Sequence, residues 1–120
     1  MKLLLTTIAA VVLVGCGPSV DIHQAAEEGN IEAVKQHLAA GMDVDVKDKK
    51  GRTPLHRVSG SGYNKEIAEL LITKGADVNA KDEDDRTALD LAIRFKRTET
   101  ADLLRKHGGK TKKELKAAGK

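Results

Sequence analysis

The 120-residue chain predicts an all-α fold: a solenoid of three helix-turn-helix repeats with short, β-hairpin-like fingers, preceded by an export signal. Three observations predict it. Laying residues 39–56 above residues 73–90 pairs Gly41 with Gly75, Asp43 with Asp77, Asp48 with Asp82, Thr53 with Thr87 and Leu55 with Leu89, always 34 residues apart, and a fixed period of this size marks a repeat array. Gly41, Gly75 and Gly108 each follow an apolar helical run, where a left-handed residue closes a helix. Residues 3–14 carry two hydroxyls and no charge behind the single cation Lys2, the n-region and h-region of a signal peptide.

The leader, residues 1–15, is too short to span a bilayer comfortably and lacks the polar face a buried core helix keeps. Its end carries the chain's sole cysteine, in Leu13-Val14-Gly15-Cys16. That run resembles a bacterial lipobox. The resemblance implies cleavage before Cys16 and acylation of its thiol and new amine, so Cys16 is expected to be a membrane anchor. Several acyl chains on one residue hold stably where one holds marginally. The alternative is an ordinary cleaved signal peptide with an incidental thiol. Gly17 follows the cysteine; in the enterobacterial pattern an Asp there favours the inner membrane, so the expectation leans to a periplasm-facing, outer-membrane location in a bacterial envelope. Residues 16–19 form the linker.

The repeats are expected at about 20–50, 51–84 and 85–109. From Ile22 to Leu55 is 33 residues, as is Gly75 to Gly108. The unit is therefore 33 long, with one extra residue between Leu55 and Glu66, in the flexible stretch of residues 60–64. Thr53-Pro54 supplies an N-cap hydroxyl and a preset φ at the first helical position. Repeat one has Val20-Asp21 in that place, and Gln36-His37 where repeat two has Leu70-Leu71. Repeat three has Ala88, Asp90 and Arg105 where a proline, a histidine and an apolar residue are expected. End repeats face water on one side and are more polar, so both ends read as caps around one interior repeat. Asp85 occupies a turn position suited to glycine, a conformation Asp tolerates better than most. In the tail, residues 110–120, Thr111 and Glu114 form a capping box, and Leu115 is placed to fold onto the last repeat.

"GRTPLH" (residues 51–56), "AEEGNIEAV" (residues 26–34) and "LLITKGADVNAKD" (residues 70–82) resemble the ankyrin repeat. The likeness covers about residues 18–109 and implies a protein-binding module whose histidine in "TPLH" braces neighbouring turns by hydrogen bonds.

Composition limits the function classes. Aromatics are 2% of the chain, so the core is built from Ala, Val, Ile and Leu. Residues 105–120 hold seven Lys or Arg against one Glu, and residues 16–104 hold 13 basic against 17 acidic. A basic tail on a mildly acidic body reads as a solvated cap helix rather than a nucleic-acid or lipid contact. One cysteine excludes an intramolecular disulfide. His23, His37, His56 and His107 show no metal-ligand spacing, and the "DEDD" of residues 82–85 lacks a calcium loop's alternating ligands, central glycine and distal glutamate. No catalytic arrangement, cofactor, metal or small-molecule substrate is expected; the chain reads as a monomer that is not an enzyme.

Ankyrin arrays bind through finger tips and the exposed positions of each first helix. Carried over by position, the resemblance implies a partner surface of Glu27 and Glu28 on the first helix. Lys47, Lys49, Lys50 and Arg52 come from finger one, and Lys81, Glu83, Asp84 and Arg86 from finger two. Arg94 and Phe95 come from the last first-helix. Phe95, the sole Phe, is the expected anchor, because hot spots favour aromatics, unless it only covers the cap. Tyr63, in the enlarged turn, is a weaker candidate. The function expected is a membrane-anchored adaptor for an unknown protein partner. The alternatives are a spacer lipoprotein of the envelope and an immunity-type inhibitor of a toxin or hydrolase.

Overall fold

The computed structural model describes residues 20–61 and 65–119. The expected leader, Cys16 at the end of the lipobox-like run, and Tyr63 lie outside the described residues. Among the described residues seven helices follow one another: α1 (Ile22–Glu28), α2 (Ile31–Ala39), α3 (Pro54–Ser61), α4 (Lys65–Thr73), α5 (Ala88–Arg94), α6 (Thr98–Lys106) and α7 (Lys112–Ala117). No described helix is long and apolar enough to cross a membrane.

Each first helix begins on a side-chain cap. In α1 the Asp21 carboxylate accepts from Gln24 N at 2.8 Å, so repeat one replaces the missing Thr-Pro with a different cap of the same physics. In α3 the Thr53 hydroxyl accepts from His56 N at 3.3 Å. Thr87 with Asp90 and Thr111 with Glu114 form full capping boxes at α5 and α7.

The first helices α1, α3 and α5 pack directly on one another, and the second helices α2, α4 and α6 form a more loosely joined outer layer. The same position recurs in the inner core: Ile22, Leu55 and Leu89 are all buried, as are Ala25, Val58 and Ala92. In the outer layer Leu71 and Leu104 are fully buried at one repeat position. His37 stands there in repeat one and spends its ring on Val20 O at 2.7 Å. Leu115 of α7 is buried, closing the far end as its sequence position predicts.

The fingers are tight turns. In each, one backbone bond crosses the base, Asp48 N to Arg52 O at 2.9 Å and Asp82 N to Arg86 O at 3.0 Å, and a second closes the tip, Gly51 N to Asp48 O and Asp85 N to Asp82 O, both 3.0 Å; no described residue is in a strand. A Cβ on Gly51 (φ 75°) would lie 3.0 Å from Glu83 N, because that amide donates to Lys50 O across the fingers at 3.0 Å. Asp85, the matching residue of the outer finger, holds φ 62°; with no further finger against it, only backbone strain of about 1 kcal/mol is stored there.

One feature departs from good packing. Ser59 is fully buried where repeat one carries Ala26, and its hydroxyl has no hydrogen-bond partner among the described residues. A buried unpaired hydroxyl costs on the order of 1 kcal/mol or more. Ser59→Ala is therefore expected to stabilise the protein by about 1 kcal/mol, read as a higher urea midpoint at unchanged slope; a lower midpoint would mean the hydroxyl is satisfied.

Candidate protein-binding surface

The inner helices and the finger bases enclose an open cleft of about 310 Å³. Its floor follows from three aligned rows of the repeat. One row is Gln24, Arg57, Leu91; the next is Glu27, Gly60, Arg94; the third brings Phe95 beside Ser61. The middle row lacks a side chain at Gly60, and the Phe95 ring fills part of that gap: a Cβ built on Gly60 would lie 3.8 Å from it.

The walls are cationic but largely neutralised. Arg57 reaches Glu27 from repeat one at 2.7 Å and Asp48 of the first finger at 2.9 Å. Arg52 and Arg86 point their Nε groups at the same Asp82 oxygen, at 3.5 and 3.3 Å. Asp82 has no exposed side-chain surface; its other oxygen accepts from Asp84 N at 2.8 Å and Arg86 N at 2.9 Å. Burial alone raises such a carboxyl, but the Arg86 and Asp84 amides and the Arg86 charge outweigh it and hold Asp82 below its ordinary value. Asp48 repeats the arrangement: burial is outweighed by the Arg52 and Lys50 amides and by Arg57. These two aspartates fix the finger bases and tie the repeats together.

His56 sits beneath the cleft in a defined tautomer. Nδ1 accepts from Thr53 N at 3.0 Å, so Nε2 carries the proton and donates to Arg86 O in the next repeat at 2.8 Å. His23, at the same repeat position, reaches a different acceptor, Val46 O at 2.8 Å, 23 residues ahead and before the base of the finger. The bracing role that the resemblance implies for the "TPLH" histidine is therefore present at His56. Burial pushes His56 below its ordinary 6.5 despite the opposing Arg86 carbonyl and Asp82 charge. Its contribution to stability is then complete above the unfolded value of about 6.5 and declines as pH falls from there towards the folded value. Asp48 and Asp82, both lowered, contribute fully above about pH 4 and lose that only below it. Acid titration of the melting temperature is thus expected to fall in two stages, with the upper stage absent from His56→Gln; an unchanged upper stage in that variant would reject the assignment.

Of the residues expected to bind, Glu27, Arg52, Arg86, Arg94 and Phe95 meet in this cleft. The others do not. Glu28 turns back to Gln24 Nε2 at 2.9 Å, and Lys47 donates to Lys81 O between the fingers at 3.2 Å. Lys49 and Lys50 are exposed at the first finger. Glu83 is exposed at the second, and Asp84 pairs with Arg86 at 2.8 Å. Phe95 is 48% exposed, with the Arg94 guanidinium 5.8 Å from its ring centre. Sequence reasoning missed Arg57 and the structural use of Asp48. A signal existed for Arg57, which is charged where repeat three has the buried Leu91. Among the described residues no His, Cys, Asp and Glu group is disposed to hold a metal ion.

A family model described as "Ankyrin repeats (3 copies)" matches residues 22–115. Among curated proteins, the chain is 40% identical over 70 residues to protein phosphatase 1 regulatory subunit 27 of Homo sapiens, covering 58% of this chain and 45% of that one. It is 41% identical over 71 residues to cyclin-dependent kinase 4 inhibitor B of Bos taurus, covering 58% and 52%. It is 35% identical over 85 residues to serine/threonine-protein kinase 12 of Arabidopsis thaliana, covering 71% and 18%. The chain thus spans about half the length, or less, of these relatives.

Proposed function

Because the chain belongs to the ankyrin repeat family, we propose that it is a protein–protein interaction module that holds one protein partner against the finger tips and the concave face of α1, α3 and α5. The observation that carries this reading is the open cleft in which Arg94 and a half-exposed Phe95 face solvent over a rigid, salt-bridged floor. A fixed floor lowers the ordering cost of binding, and an exposed aromatic beside a cation suits a hot spot. The relatives named as a regulatory subunit and as an inhibitor support a binding role over catalysis.

The second element of the proposal is tethering. The lipobox-like run ending in Cys16 supports a lipid anchor that leaves the repeats facing the periplasm, with the outer membrane favoured. Cys16→Ser then releases the protein from the membrane fraction and abolishes palmitate labelling; continued membrane retention with no label would reject the anchor. For the partner, cross-linking in the native envelope is compared between wild type and a triple variant, Lys49→Glu, Lys50→Glu and Phe95→Ser. A band present with wild type and absent from the folded variant is expected. Identical bands would reject the concave face and favour a spacer role.

The inhibitor name of one relative favours a second reading of the same surface, in which the partner is an enzyme whose active site the module covers. Deletion that is toxic only alongside a neighbouring toxin or hydrolase distinguishes it.

A further inference from the structure

We infer that the cleft between the finger bases and α5 recognises an acidic peptide segment of the partner, taking a carboxylate on Arg94 and Arg52 and an adjacent apolar side chain on Phe95. This inference rests on the reading of the concave face as the binding surface and specifies the chemistry of what binds.

The cleft's arginines are not equivalent. Arg57 is committed on both sides, with Nε and Nη2 on Asp48 and Nη1 on Glu27. Arg86 is committed to Asp82 and Asp84. Arg52 engages Asp82 through Nε alone, leaving the two Nη groups of its fork unengaged among the described residues. Arg94 has no ion pair among the described residues, and its guanidinium lies 5.8 Å from the centre of the Phe95 ring. The acids that would compete for an incoming carboxylate are already bound: Glu27 by Arg57, and Asp82 by two arginines and two amides. An anion entering the cleft therefore meets unengaged guanidinium N–H groups without an unpaired acid beside them. Arginine forks bind carboxylates in two parallel charge-assisted hydrogen bonds, the geometry that gives both strength and orientation.

The other end of the cleft is apolar. Leu91 lies under it and Gly60 leaves it open opposite Phe95. Repeat one carries Glu27 where Gly60 stands, and a side chain there would close the space. A segment with an acidic residue next to an aliphatic or aromatic one matches both ends at once; an acidic segment without the apolar residue matches only one.

The test titrates the full-length protein into two fluorescein-labelled peptides, one alternating glutamate and leucine, the other with glutamine for glutamate. Fluorescence polarisation is expected to show saturable binding of the glutamate peptide that is about tenfold tighter than that of the glutamine peptide, one charge-assisted pair's worth. Arg94→Gln and Phe95→Ser, both at exposed positions, are expected to weaken it at least about fivefold with melting temperatures unchanged. Equal binding of the two peptides, or wild-type affinity in Arg94→Gln, would overturn the inference. So would binding of phosphatidylglycerol vesicles that Arg94→Gln abolishes while the peptides fail, which would make a lipid headgroup the anion. Concentration-dependent dimerisation lost in Arg94→Gln would overturn it too, by making a second copy the occupant. If neither peptide binds but the cross-linked partner is still lost from the triple variant, the concave-face reading stands and this one falls.

Discussion

Asp82→Ala is expected to destabilise the protein by about 3 kcal/mol, the range for removing one member of a buried, hydrogen-bonded charge pair. Three losses add at one side chain. The Asp84 and Arg86 amides lose their acceptor, the finger base opens, and Arg52 and Arg86 are left facing each other with their common anion gone. For a domain of this size the change lowers the melting temperature by roughly 12–20 °C. Asp84→Ala is the control. Asp84 is exposed and contributes one surface pair, so its removal is expected to cost under about 1 kcal/mol. Urea unfolding followed by circular dichroism reads both. If Asp82→Ala falls within 1 kcal/mol of wild type, the aspartate between fingers is not what joins repeats two and three.

Leu55→Ala is expected to cost a further, independent amount of about 3 kcal/mol. Leu55 is fully buried in α3, the one first helix packed on both sides, against α1 and α5. In a linear array each repeat is held by its neighbours, so a cavity in the interior repeat weakens two interfaces. Global stabilities of small domains are about 5–15 kcal/mol; with three repeats the variant is expected to show a broadened unfolding transition and a lower slope in urea. Ile93→Ala, at a position 49% exposed, is expected to change stability by only about 0.5 kcal/mol. Equal effects of the two would mean that the repeats do not share one core.

Much of this was legible in the sequence because a repeat states its own register. Offsets of 33 and 34 residues placed the helices, and Thr53, Thr87 and Thr111 each cap where a hydroxyl precedes a helix. Leu115 folds back onto the last repeat, and the bracing histidine His56 finds a carbonyl of the neighbouring turn. What was not legible depends on side chains about 30 residues apart meeting in space. Glu27 and Arg57 look like two solvated charges until stacking brings them to 2.7 Å. Arg52 and Arg86 look like finger-tip cations until the buried Asp82 draws both inward. The pattern also concealed Lys96, which adopts φ 58° at the position where repeat one has Gly29. A local rule predicts glycine there, and the lysine is tolerated because the turn is exposed.

The finger charges carry the complementary lesson. Position alone assigned Lys47 and Asp84 to a binding surface, yet each has a contact within the molecule, with Lys81 O and with Arg86. Exposure by repeat register is necessary for binding and does not by itself leave a side chain free. Phe95 and Arg94 meet the stricter condition among the described residues, since both are exposed and Arg94 has no ion pair, its guanidinium lying over the Phe95 ring.

The concave face, and not the outer helical layer, is the surface proposed to meet the partner. Site-specific photo-cross-linking in the native cell tests this, with benzoylphenylalanine placed at Phe95 in one strain and at the exposed Glu69 of α4 in another. A discrete adduct from position 95 and none from position 69 is the predicted result. An adduct from position 69 alone would reject the concave face and move the binding surface to the outer layer.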